Sequence, residues 1–265
     1  MAMDPSHLGS AADGIADVVD GLEHQHGTLT ALLDPLQDDG WGSPTRCEGW
    51  DVADVVLHLA QSNELAVGSA TGRFPTVLHR LTAGTGPAGT VDDGVALMVA
   101  REGGAPAAEV FGRWRDGAAE LRRVLLAADP HERVTWVAGD LSVMTLATTR
   151  LAETWIHTGD VAAALGTAVA PTGHLRHVAR LAWRTLPYAF ARAGRPPPGP
   201  VAFNLVGPSG ERWDLEPEEP ATTTITGPGV DLCLVAARRV APAETALAGN
   251  GPDATAVLDL VRTYA

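Results

Sequence analysis

The sequence contains no lysine: all 19 basic residues are arginines, set against 32 acidic residues. Net charge is −13, the isoelectric point is about 5.0, and no arginine cluster offsets this acidic balance. Such a surface argues against nucleic acid or an anionic membrane as partner. Cysteine is nearly absent. Cys47 and Cys233 lie far apart and form no C-x-x-C pair, so neither a disulfide framework nor a thiolate zinc site is expected, and a reducing, cytoplasmic compartment fits. No apolar run reaches the ~18 residues of a membrane span. The first ten residues lack the basic and apolar regions of a secretory leader, and the sequence predicts none. G-x-S-x-G, P-loop and dinucleotide fingerprints are missing too. What remains is 45% hydrophobic and 19% charged, a composition that excludes a disordered chain and can bury a sizeable core. The 265 residues can hold one large domain or two small ones.

One stretch concentrates the chemistry, Leu151-Ala-Glu-Thr-Trp-Ile-His-Thr-Gly-Asp160. Read as helix, it puts Glu153, His157 and Asp160 on one face at i, i+4 and i+7. Leu146, Thr149 and Ile156 lie beside that face, while Arg150 and Trp155 point elsewhere. The bland alternative is a polar surface stripe. A second stretch, Trp50 to Leu59, places a single His58 in an apolar helical run with Val55, Ser62 and Leu65 on its face. A lone buried histidine is ordinarily a hydrogen-bonded core residue. Two helices of one bundle, however, would bring His58, Glu153 and His157 together as three N/O ligands with room left for water, the pattern of a catalytic metal site.

In chain order, helical spacing of apolar residues predicts a helix over 11–33, in which His24 and His26 read as solvent-facing or helix-packing. Asp34-Pro35 ends it, and a loop follows to Trp50. Asp51 is the expected N-cap of a helix from Val52 to about Ala66, with Asp54 in its first turn. Residues 68–94, rich in Gly, Thr and Pro, read as a loop with one helical turn, from which His79 could approach the site. A short helix over 91–101 comes next, then a long one over 107–127. Arg133 to Val137 reads as extended, with Trp136 able to fold over the site. Ser142 caps the helix that carries Glu153, and Gly166 stops it. A helix over 172–193 should kink at Pro187; its His174 and His177, among arginines, read as exposed.

Gly194-Arg-Pro-Pro-Pro-Gly-Pro200 is a stiff linker and the expected boundary. Beyond it the period changes to strands over 201–206, 211–215 and 221–226, a helix over 230–238, a strand near Leu247, and a last helix capped by Asp253 and running to Tyr264. The expected architecture is therefore mainly α: a helical bundle over 11–194, the linker 195–200, and a small α+β domain over 201–265.

Three motifs in order resemble a known family. Cys47-Glu-Gly-Trp50 with Asp54-Val-Val-Leu-His58-Leu is similar to the N-terminal signature of mycothiol-dependent maleylpyruvate isomerase-like proteins, within the DinB-like metalloenzyme superfamily. Glu153-x-x-x-His157-x-x-Asp160 resembles the second signature, and the stretch from Val201 through Trp213 to Arg239 resembles the family's sterol-carrier-like α+β domain. The resemblance implies a DinB-like four-helix bundle in which a divalent metal, usually zinc, is held by His58, Glu153 and His157. It implies mycothiol as thiol cosubstrate: thiolate addition to a conjugated cis alkene, rotation, and elimination to the trans product, or thiol transfer at the same centre. It also directs attention to an arginine of the small domain, Arg238 or Arg239, although arginines at helix ends commonly face solvent. Asp160 has two readings, acceptor orienting a ligand histidine or base near the metal. Beside the isomerase or transferase stand two alternatives: a hydrolase using a bound hydroxide, and a non-catalytic protein that binds metal or a small molecule.

Overall fold

The computed structural model describes residues 11–263. The chain divides into two compact units after Val169. The first contains α1 (Ala11–Leu33), α2 (Asp38–Trp41), α3 (Val52–Ala70), α4 (Phe74–Leu81), α5 (Val91–Glu102), α6 (Ala107–Ala127) and α7 (Val143–Ala164). A two-stranded antiparallel ribbon, β1 (Arg133–Val134) with β2 (Leu141–Ser142), precedes α7. The four long helices close a ring in which α3 packs on α6, α6 on α1, α1 on α7 and α7 on α3. This is the four-helix bundle, and it makes α3 and α7 neighbours. Its core is filled by leucines and a tryptophan buried to within a few per cent, among them Leu29, Leu59, Trp114, Leu121 and Leu146. Burying one such leucine contributes about 1.5–3 kcal/mol, and truncating one to alanine costs about 2–5 kcal/mol.

Local signals fix where the two site-bearing helices begin and end. The Asp51 carboxylate accepts from Asp54 N at 2.9 Å, and Asp54 Oδ2 accepts from Asp51 N at 3.4 Å. This reciprocal cap, worth about 1 kcal/mol, sets the start of α3 and hence the phase of His58. Ser142 Oγ accepts from Thr145 N at 3.2 Å and starts α7 in the same manner. Gly166, at φ 69°, supplies the left-handed residue that ends α7, and its N–H donates to Ala163 O at 3.1 Å. Almost every side of α7 is buried, so its hydroxyls need partners. Thr148, Thr149, Thr154 and Thr158 donate to carbonyls of the preceding turn at 2.6–2.9 Å.

Two stretches differ from expectation in this unit. The helix starting at Val52 runs one turn further, to Ala70, and residues 74–81 form a two-turn helix rather than a single turn. Phe74 and Leu81, seven residues apart, are both buried, and Pro75 opens the helix where its missing N–H costs nothing. The close approach of α4 to α3 requires Gly68: a Cβ there would meet Val77 Cγ2 at 2.8 Å.

The second unit, described by itself, contains α8 (Leu175–Arg184), α9 (Leu186–Arg192), β3 (Val201–Val206), β4 (Arg212–Leu215), β5 (Thr223–Pro228), α10 (Gly229–Ala236), β6 (Ala248–Asn250) and α11 (Ala254–Leu260). The sheet order is β4-β3-β5-β6, with β3 and β5 parallel and the outer pairs antiparallel. Phe203, Leu205 and Ile225 fill its buried face. The unit starts earlier than the proline-rich stretch at 195–200 predicts. Helix α8 packs on α10, and Trp183 Nε1 donates to Val201 O at 2.7 Å, so the prolines lie inside this unit. The expected kink is a break at Thr185, with Pro187 in the first turn of α9. Asp253 precedes α11 but does not cap it; its carboxylate accepts from Gly199 N at 2.9 Å. The last helix ends at Leu260, and Tyr264 lies outside the described residues. Among the described residues no helix is long and apolar enough to cross a membrane.

Candidate metal centre

Helix α3 delivers His58 and α7 delivers Glu153 and His157 to one buried point. Each of the three is under one-tenth exposed. Glu153 Oε2 lies 3.2 Å from His58 Nε2 and 3.6 Å from His157 Nε2. The imidazoles meet edge to face, with centroids 5.0 Å apart and planes at 76°. One donor atom from each side chain lies within 4.8 Å of the others, spacing that one cation can draw together.

The opposite nitrogen of His157 is also engaged. Asp160 Oδ2 is 3.1 Å from Nδ1, and Asp160 is 1% exposed. This carboxylate accepts the Nδ1 proton, so that Nε2 faces Glu153 and is the nitrogen that can ligate once its own proton is lost. The exposed Arg46 balances its charge, with Nε 3.5 Å from Oδ1. The Cys47 thiol donates to Asp160 Oδ2 at 3.4 Å and lies 3.9 Å from His157 Nδ1. Trp50, from the same turn, lies against His58 with ring centroids 5.3 Å apart.

Electrostatics sort the three side chains into ligand-ready and proton-holding states. Burial pushes His58 below the ordinary histidine value; Glu153 opposes the shift and the neighbouring His157 and Arg150 reinforce it. Burial alone would raise Glu153, but the two histidines and Arg150 outweigh it and hold the carboxyl well below its usual range. Burial also works against protonated His157, yet Asp160, Cys47 and Glu153 prevail and hold its value well above normal. A neutral imidazole and an anionic carboxylate are therefore ready to ligate, while metal binding would displace a proton from His157. His58, Glu153 and His157 fit a divalent cation by donor chemistry, charge and spacing.

The other sequence candidates occupy varied surroundings within their own units. His79 is exposed on α4, and His24 is exposed on α1. His26 is buried instead, edge-on to Trp114, with Arg122 Nη1 2.7 Å from its Nδ1. His174 and His177 lie half-buried at the start of α8 in the second unit. Arg238, the one described non-glycine residue at positive φ (59°), donates to Asp259 O at 2.8 Å and Leu260 O at 3.3 Å, capping the end of α11. Arg239 Nη1 donates to Ala237 O at 2.9 Å.

Four residues near the centre, Arg46, Cys47, Trp50 and Arg150, were not assigned to it from sequence. Cys47 belonged to a recognised motif without a role, and nothing local reveals a contact with residues more than a hundred positions away. Arg150 does not point away from the site stripe as expected. It is 5% exposed, lies under Trp136 with Cζ 4.7 Å from the ring centroid, and acts electrostatically on both Glu153 and His58. The signal was available: three residues before Glu153 and seven before His157 is the same helical stripe.

Fold and donor set together define a class, helical-bundle proteins with an internal cluster of two histidines and one carboxylate suited to a divalent cation. Within that class, the family model of the mycothiol maleylpyruvate isomerase N-terminal domain matches residues 22–162, over half of the chain, and the chain belongs to that family. Uncharacterized proteins from two strains of Mycobacterium tuberculosis are each 33% identical over 245 residues, spanning 92% of this chain and 93% of the relative. Solved structures of the mycothiol-dependent maleylpyruvate isomerase share the fold. A histidine-to-alanine variant gives a TM-score of 0.57 at 16% identity, over 89% of this chain and 92% of that one. A second structure gives 0.56 at 17%, over 86% and 90%.

Proposed function

We propose that this protein is a metal-dependent, mycothiol-dependent isomerase or thiol transferase acting on a small conjugated electrophile. The observation that carries the reading is the buried His58–Glu153–His157 cluster, oriented by Asp160, in a chain of this family. His58, Glu153 and His157 would hold the divalent metal, zinc first among them. When bound, the metal supplies a Lewis acid that lowers the pKa of a coordinated thiol and makes a nucleophile at neutral pH.

The remaining work falls to the protein's own side chains. Asp160 keeps the Nδ1 proton of His157 in place, which fixes the tautomer and aims Nε2 at the cluster. Trp50 lies against one side of His58. Arg46 and the Cys47 thiol hold the Asp160 carboxylate in its working orientation. Addition of the mycothiol thiolate to a cis alkene conjugated with a carbonyl would leave a single bond free to rotate. Expulsion of the same thiolate would then return the trans alkene, with no net change in atoms or electrons.

The test is to incubate zinc-loaded protein with mycothiol and maleylpyruvate and to follow the cis-to-trans change. Thiol-dependent turnover, lost in His58→Ala, supports the reading. Binding of the substrate without turnover at any thiol concentration would replace it with a binding function.

A further inference from the structure

Among the described residues, no acceptor hydrogen-bonds or ion-pairs with the guanidinium of Arg150. It sits on the site-bearing helix α7, one turn before Glu153, and is 5% exposed. Its Nε meets no acceptor among the described residues, and no ion pair or hydrogen bond forms on its terminal nitrogens. The Trp136 ring covers one side of it at 4.7 Å. Glu153, the carboxylate that acts on it most directly, has its Oε2 engaged by the two imidazoles. A buried charge is retained against a heavy desolvation cost only when something offsets it, and buried cations in folded proteins are ordinarily paired. Here the protein supplies a π face and a neighbouring carboxylate in Glu153, but no acceptor that hydrogen-bonds the guanidinium among the described residues.

Charge bookkeeping at the centre points the same way. With a divalent cation on two neutral imidazoles and one carboxylate, the site is already positive. Arg150 adds to that, while Asp160 is balanced locally by Arg46. A thiolate can answer the metal's charge, which leaves the guanidinium fork open. Arginine's planar set of donors matches a carboxylate in a bidentate pair, and a ring stacked on its face holds the fork in one plane.

We infer that Arg150 is the receptor for a carboxylate of the substrate, so that the site selects an anionic unsaturated acid over a neutral electrophile of the same shape. The inference rests on the isomerase or transferase reading for the word substrate, but its binding component stands apart from turnover. In this assignment Trp136 is a positioning residue, and Arg150 gives specificity by leaving a buried charge unanswered whenever a neutral analogue enters.

Maleate, a cis unsaturated dicarboxylate, and its neutral diamide are the probes, titrated calorimetrically into the full-length zinc-loaded protein. Wild type should bind maleate and bind the diamide at least about tenfold more weakly. Arg150→Gln should weaken maleate about 10- to 100-fold, the range for a charge-assisted bidentate contact. It should leave zinc content and the diamide affinity unchanged. Arg150→Lys, which keeps the charge and loses the fork, should fall between; if the glutamine variant does not fold, the lysine variant and the wild-type selectivity decide. Equal maleate affinity in wild type and Arg150→Gln overturns the inference, as does a wild type that prefers the diamide or binds neither. Loss of zinc in Arg150→Gln also overturns it, since Arg150 would then serve Glu153. The two readings fail separately. Arg150-dependent maleate binding without any mycothiol-dependent turnover sinks the isomerase reading alone. Turnover with an unchanged KM in Arg150→Gln sinks the receptor alone.

Discussion

Replacing Asp160 with asparagine probes the centre without changing the size of any side chain. The carboxylate now serves three donors: His157 at 3.1 Å and Cys47 at 3.4 Å on Oδ2, and Arg46 at 3.5 Å on Oδ1. An amide has only one oxygen. Turned toward Arg46, it presents its NH2 group to His157 Nδ1, which must then accept. The imidazole proton moves to Nε2, the nitrogen that faces Glu153 at 3.6 Å, and ligation there is blocked. Turned the other way, the amide keeps the tautomer but loses the charge and leaves Arg46 facing a donor. Either arrangement weakens the same ligand. Removing such a supporting partner costs about 10- to 100-fold in metal affinity, or about 1.4–2.7 kcal/mol. Competition with a chromophoric zinc chelator at pH 7 would measure it, with His157→Ala as the reference for full loss of a ligand. The deficit should narrow as pH falls. In the metal-free wild type Asp160 also helps hold a proton on His157, and that proton competes with zinc more strongly than in the variant. A zinc affinity for Asp160→Asn within twofold of wild type at pH 7 would refute the orienting role.

Two further outcomes concern the scaffold. Burial, reinforced by Arg122, lowers His26 to about 3, so the unfolded chain takes up a proton near 6.5 that the folded chain refuses. Stability from this group is present above 6.5 and lost as pH falls toward 3. Between pH 7 and 5 the loss is about 2 kcal/mol. Urea unfolding at the two values should show it in wild type and not in His26→Asn, and equal pH dependence in both would contradict the assignment. Gly68→Val pushes a branched side chain into the space Val77 occupies and should destabilise by about 1–3 kcal/mol, with partial recovery in the double variant with Val77→Ala. Additive effects of the two substitutions would show that the contact does not matter.

Legibility in the sequence followed the range of the interactions. Helices α1 and α6 have the bounds that apolar spacing predicts, and Asp51 and Ser142 cap where their residue types place them, because those signals span only a few residues. The clustering of Glu153 with His157 was readable for the same reason, being an i, i+4 relation on one helix. That His58 joins them depends on the packing of α3 on α7, which two apolar helices of one bundle allow but do not fix; the motif resemblance pointed the same way. Long-range contacts left no local trace, as Cys47 on Asp160 shows. The proline-rich stretch misled as a boundary. Rigid prolines suit a strand approach as well as a linker, and the apolar stripe of α8 does not reveal that it packs on α10.

The central claim is that His58, Glu153 and His157 form one divalent-metal centre. Elemental analysis of the purified protein beside His58→Ala, both reconstituted with zinc and desalted, tests it most directly. The account predicts about one metal ion per chain in the wild type and a small residue in the variant, with both folded by circular dichroism. Zinc retained equally by both, or by neither, would contradict it.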